Sequence, residues 1–164
     1  MAPPLHPSLA PIAFLLGEWE GLGEGSYPTI DDFVYGEHLT FGHAGKPFLA
    51  YAQRSWDPAG GAPMHVETGY LRVTDPPAGR LGAGVEMVIS QPTGIVEVLV
   101  GTVRDDAVLL RSTVVALTPT AKEVVEVERE LRLDGGALVG RLAMAAVGRP
   151  LTHHLASTLT RHQG

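Results

Sequence analysis

From Gly17 onward the chain alternates short runs in which apolar residues recur at every second position with clusters of Gly, Pro and Asp. "FVYGEHLTF", "PFLAYAQRSW", "MHVETGYLRV", "VEMVIS", "GIVEVLVGTV", "AVLLRSTVVAL", "EVVEVERELRL", "ALVGRLAMAAV" and "HHLASTLT" are rich in β-branched residues and read as strands. The segments between them, such as "DPAGGAP", "DPPAGR", "QPTG" and "TPTAK", supply the residues that turns need, and "LDGGAL" is an Asp-Gly hairpin signal. Only "PSLAPIAFLLG" reads as a helix, with Ser8 as its N-cap, Leu9, Ile12, Leu15 and Leu16 on its apolar side, and Pro11 tolerated in the first turn. About ten evenly spaced antiparallel strands after one short N-terminal helix predict an all-β fold. An up-and-down β-barrel is the expected form, with a sandwich as the alternative. Closure removes exposed edges, and a barrel of that size is wider than its own side chains fill, so a ligand cavity is expected. No linker interrupts the pattern, and residues 1–164 read as one domain.

Composition narrows the partners. The net charge of −6 is dispersed, with no basic stripe to replace counterions on phosphates, which argues against nucleic acid. Hydrophobic content of 45% is too high for disorder and too broken up for membrane spans. The N-terminal stretch lacks a basic region and a small-residue cleavage site, so a cytoplasmic location is expected. There is no cysteine, so any metal must be held by His or carboxylate.

"LLGEWEGLGEGSYPT" carries the strongest local signal. As a strand it puts Gly17, Trp19, Gly21, Gly23 and Gly25 on one face. Each glycine weakens a strand by roughly 0.5–1 kcal/mol relative to alanine, so such a face implies a sharp coil or a bulky flat object close to the backbone. Nucleotide binding does not fit: the spacing is not G-x-G-x-x-G and no Gly-Lys-Ser/Thr run follows. A Gly-x-Trp strand of the lipocalin kind, in which Trp plugs the barrel floor, accounts for the pattern without any ligand.

With "GKPFLAY", "MHVETGYLR", "PTGIVEV", "PTAKEV" and the "HL" of "HHLAST", the stretch "GEWEGLGEGSYPT" resembles the nitrobindins, in order and over nearly the whole chain. The resemblance implies a ten-stranded antiparallel barrel holding haem b through one histidine near the C-terminus. It further implies binding of nitric oxide and isomerisation of peroxynitrite to nitrate, which would protect against tyrosine nitration. The expected partners are these small molecules rather than nucleic acid or a membrane, with a homodimer left open.

Adjacent strand residues point to opposite faces, so His153 and His154 cannot both enter the barrel. Parity alone is divided: Leu155 and Leu159 go with His153, whereas Ala156, Thr158 and Thr160 go with His154. Aliphatic content favours His153. Small residues beside His154, which would leave room for a porphyrin edge, and the resemblance, in which the ligand immediately precedes Leu, favour His154. His154 is therefore expected to be the iron ligand and the catalytic residue. Of the other histidines, His6 and His162 are expected to be solvated, His43 exposed, and His38 of either orientation. Met64, His65 and Met144 are candidates for the cavity wall across from the ligand, with Val66, Met87 and Leu142 as further lining. His65 resembles a position above the haem in some family members. Thr29 and Lys122 match family positions expected at the haem, where a hydroxyl and an ammonium could meet its carboxylates; a turn cap and a surface lysine are their plain structural roles. Rival functions are a carrier of a fatty acid or other apolar ligand, and a haem-based nitric oxide sensor or store.

Overall fold

The structure, a computed structural model, describes residues 3–76 and 78–162; the first two residues, Pro77 of the "DPPAGR" turn and the last two residues lie outside the described residues. Ten strands run β1 Gly17–Tyr27, β2 Ile30–Gly42, β3 Leu49–Trp56, β4 Pro63–Thr74, β5 Ala83–Gln91, β6 Ile95–Arg104, β7 Ala107–Leu117, β8 Val124–Asp134, β9 Ala137–Ala146 and β10 Thr152–Arg161. Each pairs antiparallel with its neighbours in sequence, and β10 pairs with β1, giving a closed up-and-down barrel rather than a sandwich. Period-2 patterning sets the inside: β3 alternates buried and exposed residues along most of its length. At the β8–β9 hairpin Gly135 and Gly136 both take positive φ, 57° and 87°, as the two-residue turn that matches strand twist requires.

The helix departs from expectation in kind. Pro7–Leu15 forms a 3₁₀ helix, and His6 rather than Ser8 caps it, the ring accepting from the Ser8 amide. The reason is the spacing of Leu9, Ile12 and Leu15: three residues per turn places all of them on one stripe, and all are fully buried. Leu16, expected on the same side, is only half-buried. The helix closes one end of the barrel with Trp19, whose Nε1 donates to the Leu15 carbonyl at 2.8 Å and whose ring lies 4.2 Å beneath the Arg161 guanidinium. Leu49, Leu71, Leu99, Leu138 and Leu159 complete an apolar floor. Among the described residues no helix is long and apolar enough to cross a membrane.

The glycine face is explained from within the protein. A Cβ at Gly23 would run into the Tyr35 ring, and one at Gly25 into the Phe33 ring. Both rings come from β2, directly across the register at Gly23↔Tyr35 and Gly25↔Phe33. The flat objects against β1 are thus the chain's own aromatic side chains. Gly17, Trp19, Gly21 and Gly23 line no part of the cavity described next.

Candidate functional site

Above the floor the barrel encloses a cavity of about 300 Å³, lined by His154, His65, Met64, Met87, Met144 and Leu142 among others. His154 enters it because β10 carries a bulge. His153 pairs with Ala143 and Leu155 with Leu142, so His154 is the extra residue between two consecutive partners. The bulge turns both His154 and Leu155 to the cavity, while His153 is exposed. The expectation that small neighbours share the face of His154 is overturned: Ser157 and Leu159 point inward, and Thr158 and Thr160 are exposed.

The His154 imidazole is held on three sides. Its Nδ1 lies 3.1 Å from the Ser26 carbonyl, which can only accept, so Nδ1 carries the proton and Nε2 keeps its lone pair. Tyr27 and Phe33 pack edge-on against the ring at 5.4 and 6.2 Å between centroids. The Tyr27 hydroxyl is fixed in turn, accepting from the Ala146 amide at 3.0 Å. Burial pushes the imidazole below its ordinary pKa against the opposing Ser26 bond, and His153 and His65 add to the lowering, so the ring is neutral at neutral pH.

Met64 and His65 are adjacent, yet both line the cavity, because a second bulge falls there: Ser55 pairs with His65 and Trp56 with Pro63. Met144, Met87 and Leu142 also line it as expected. Val66 does not; it lies 46% exposed on the outer face. Thr29 and Lys122 are exposed residues of the β1–β2 and β7–β8 loops, at the mouth end, and neither lines the cavity wall. Of the remaining histidines, His38 turns to Glu18 at 3.1 Å, His43 is half-buried rather than exposed, and His6 caps the helix instead of being solvated.

A polar layer between cavity and floor went unread in the sequence. The Arg129 guanidinium binds Glu67 at 2.7 and 3.0 Å and Glu97 at 2.8 and 2.8 Å. Glu67 also accepts from the Tyr51 hydroxyl at 2.7 Å and His65 Nε2 at 3.2 Å, and Glu97 from Gln91 at 2.7 Å. Burial would push Glu67 up, but the Arg129 charge and these hydrogen bonds outweigh it and hold the carboxyl well below the usual carboxylate range. An ionised Glu67 can only accept, so His65 Nε2 is the donor. Burial pushes Glu37, bonded to Gln53 at 3.2 Å, the other way, towards its neutral form. The signal for this layer was present: in "IVEVLV" Glu97 shares parity with Ile95 and Leu99, and Glu67 shares it with Leu71.

Among the described residues no three His, Cys, Asp or Glu side chains converge to hold a bare metal ion. One oriented, neutral imidazole on an otherwise largely apolar wall is instead a donor set for a metal that brings its own equatorial ligands, as iron in a porphyrin does.

Comparison with known proteins agrees in extent and kind. Residues 8–161 match the family described as "THAP4-like, heme-binding beta-barrel domain". The chain is 50% identical over 163 residues to a protein named peroxynitrite isomerase 2 from Mycobacterium avium (strain 104), covering 97% of this chain and 98% of that one. It is 43% identical over 162 residues to peroxynitrite isomerase Rv2717c from Arabidopsis thaliana, covering 98% and 92%. The crystal structure of Rv2717c from M. tuberculosis superposes with a TM-score of 0.85 at 45% identity, covering 98% of this chain and all of that one.

Proposed function

Since the chain belongs to the THAP4-like, heme-binding β-barrel family, we propose that it is a haem b-dependent peroxynitrite isomerase in which His154 is the iron ligand. The observation that carries this reading is the His154 imidazole itself, neutral, bonded through Nδ1 to the Ser26 carbonyl and free at Nε2 inside the cavity. Bound there, ferric haem would supply the metal chemistry that cleaves the O–O bond of peroxynitrite and returns its atoms as nitrate.

The chain's own contribution is positional. The Ser26 carbonyl fixes the tautomer that leaves Nε2 able to bind a metal, and Tyr27 and Phe33 fix the ring's rotation. Met64, Met87, Met144 and Leu142 give the cavity apolar walls that exclude water and adapt to a flat ligand. Glu67 accepts from His65 Nε2–H, which fixes that imidazole's orientation on the cavity wall, where it would touch a bound haem. Thr29 and Lys122, on the mouth loops, are proposed partners for the haem carboxylates. Nitric oxide as a second ligand, protection against tyrosine nitration and a cytoplasmic location belong to the same proposal. A carrier of an apolar ligand leaves the oriented imidazole without a role.

The test is a haem titration of wild type, His154→Ala and His153→Ala followed by the Soret band. Stoichiometric binding in wild type and His153→Ala, weakened at least a hundredfold in His154→Ala, is expected. Equal binding by all three would overturn the assignment of the ligand, and absence of binding in wild type would overturn the haem reading.

A further inference from the structure

Arg129 is a buried cation that the proposed chemistry does not use. Its side chain, 13% exposed, lies at the base of the cavity with its Nε, Nη1 and Nη2 all committed to Glu67 and Glu97. Those carboxylates are 4% and 1% exposed and also accept from the Tyr51 hydroxyl and the Gln91 amide, respectively. An interior guanidinium under an apolar cavity is the natural seat for the head of a fatty acid or another carboxylate. Here the seat is already filled from within. Two carboxylates on one guanidinium leave an excess negative charge, in a setting where like charges are poorly screened.

We infer that Glu67 and Glu97 are specificity-determining residues that occupy an anion site at the cavity base from within, so that the cavity admits apolar surface and rejects a ligand that leads with a carboxylate. The same layer argues against a fatty-acid carrier, although the apolar part of the cavity wall would suit an alkyl chain. It also rests on the haem reading for one consequence: a porphyrin bearing both carboxylates on one edge enters with that edge towards the mouth.

The experiment is calorimetric titration of decanoate into the full-length haem-free chain, with circular dichroism as the check on folding. Glu67→Gln and Glu97→Gln are isosteric, so the double variant keeps the volume of the layer while freeing Arg129. Wild type is expected to bind decanoate at least tenfold more weakly than E67Q/E97Q, and adding Arg129→Met to the double variant should abolish the gain. The single variant E97Q, whose side chain touches only Arg129 and Gln91 among the polar groups described, should gain about threefold and serves if the double variant does not fold. Tight decanoate binding by wild type, no gain in folded E97Q or E67Q/E97Q, or a gain that survives Arg129→Met would each overturn the inference. A Soret titration of the same samples separates this from the haem reading, because loss of haem binding in wild type would sink that reading alone.

Discussion

Replacing Arg129 with methionine removes the shared cation of Glu67 and Glu97 while keeping much of the side chain's volume. Two carboxylates that are 4% and 1% exposed then lose four charge-assisted hydrogen bonds of 2.7–3.0 Å. Breaking a buried ion pair by deleting one partner costs about 3–5 kcal/mol, and stranding a second carboxylate puts R129M near the upper end, about 5 kcal/mol at pH 7. In a chain of this size that corresponds to a fall in Tm of roughly 10–20 °C. The pH dependence has a definite sign. In wild type Glu67 sits below its unfolded value, so its contribution is present above the ordinary carboxylate range and is lost as the pH falls through the folded value. In R129M burial acts without the cation and raises the folded value above the unfolded one. The deficit relative to wild type is then largest at neutral pH and shrinks as the Glu67 carboxyl takes up a proton. Urea unfolding followed by tryptophan fluorescence at pH 7 and pH 5 measures both effects. E67Q/E97Q/R129M should recover most of the loss, because neutral amides need no counter-charge. A deficit below about 1 kcal/mol at pH 7, the size of an exposed pair, or one that grows towards pH 5, would refute the reasoning.

Three further outcomes follow from the geometry. Because burial holds the His154 imidazole below its ordinary value of 6.5, the neutral metal-binding form persists below that pH; haem affinity should be level between pH 8 and 7 and half-lost only below 6.5, as a series of Soret titrations would show. Gly25→Ala displaces the Phe33 ring that packs against His154; overpacking should cost about 1–3 kcal/mol and weaken haem binding several-fold, read by thermal melts and titration. Trp19→Phe removes the bond to the Leu15 carbonyl and weakens the stack with Arg161; stability should fall by about 2 kcal/mol in urea while the Soret spectrum of the haem complex stays unchanged, since Trp19 is on the floor.

How much of this could be read from sequence depended on whether a residue sat in regular register. The strands follow from alternation, whereas the choice of a closed barrel over a sandwich rested on the family resemblance and the Trp19 plug on the Gly-x-Trp motif. The reason given for His154 does not: parity with Leu155 and Leu159 points to His153, and only the bulge, invisible to a period-2 count, turns His154 inward. What pointed to His154 in the sequence was the family resemblance. Met64 beside His65 is the same case. Thr29 and Lys122 lie in loops, where no period assigns a direction. Glu67, Glu97 and Arg129 were legible in principle, since each falls on the inward parity of its strand, but residue type alone gives no sign that a charged side chain faces inward.

The seam between β1 and β10 pairs Trp19 with Arg161 and Gly25 with Leu155, the longest-range contact in the sheet. The same seam brings His154 to the Ser26 carbonyl. On the ribosome, β10 is the last of the ten strands to emerge, and until it docks the barrel is an open sheet with two free edges. The proposed metal ligand and the group that sets its tautomer therefore meet in one event, at closure. A nascent chain can assemble nine strands and still have nothing with which to capture a cofactor, so loading waits for the finished barrel, and the slowest loop to close also sets when the protein becomes competent.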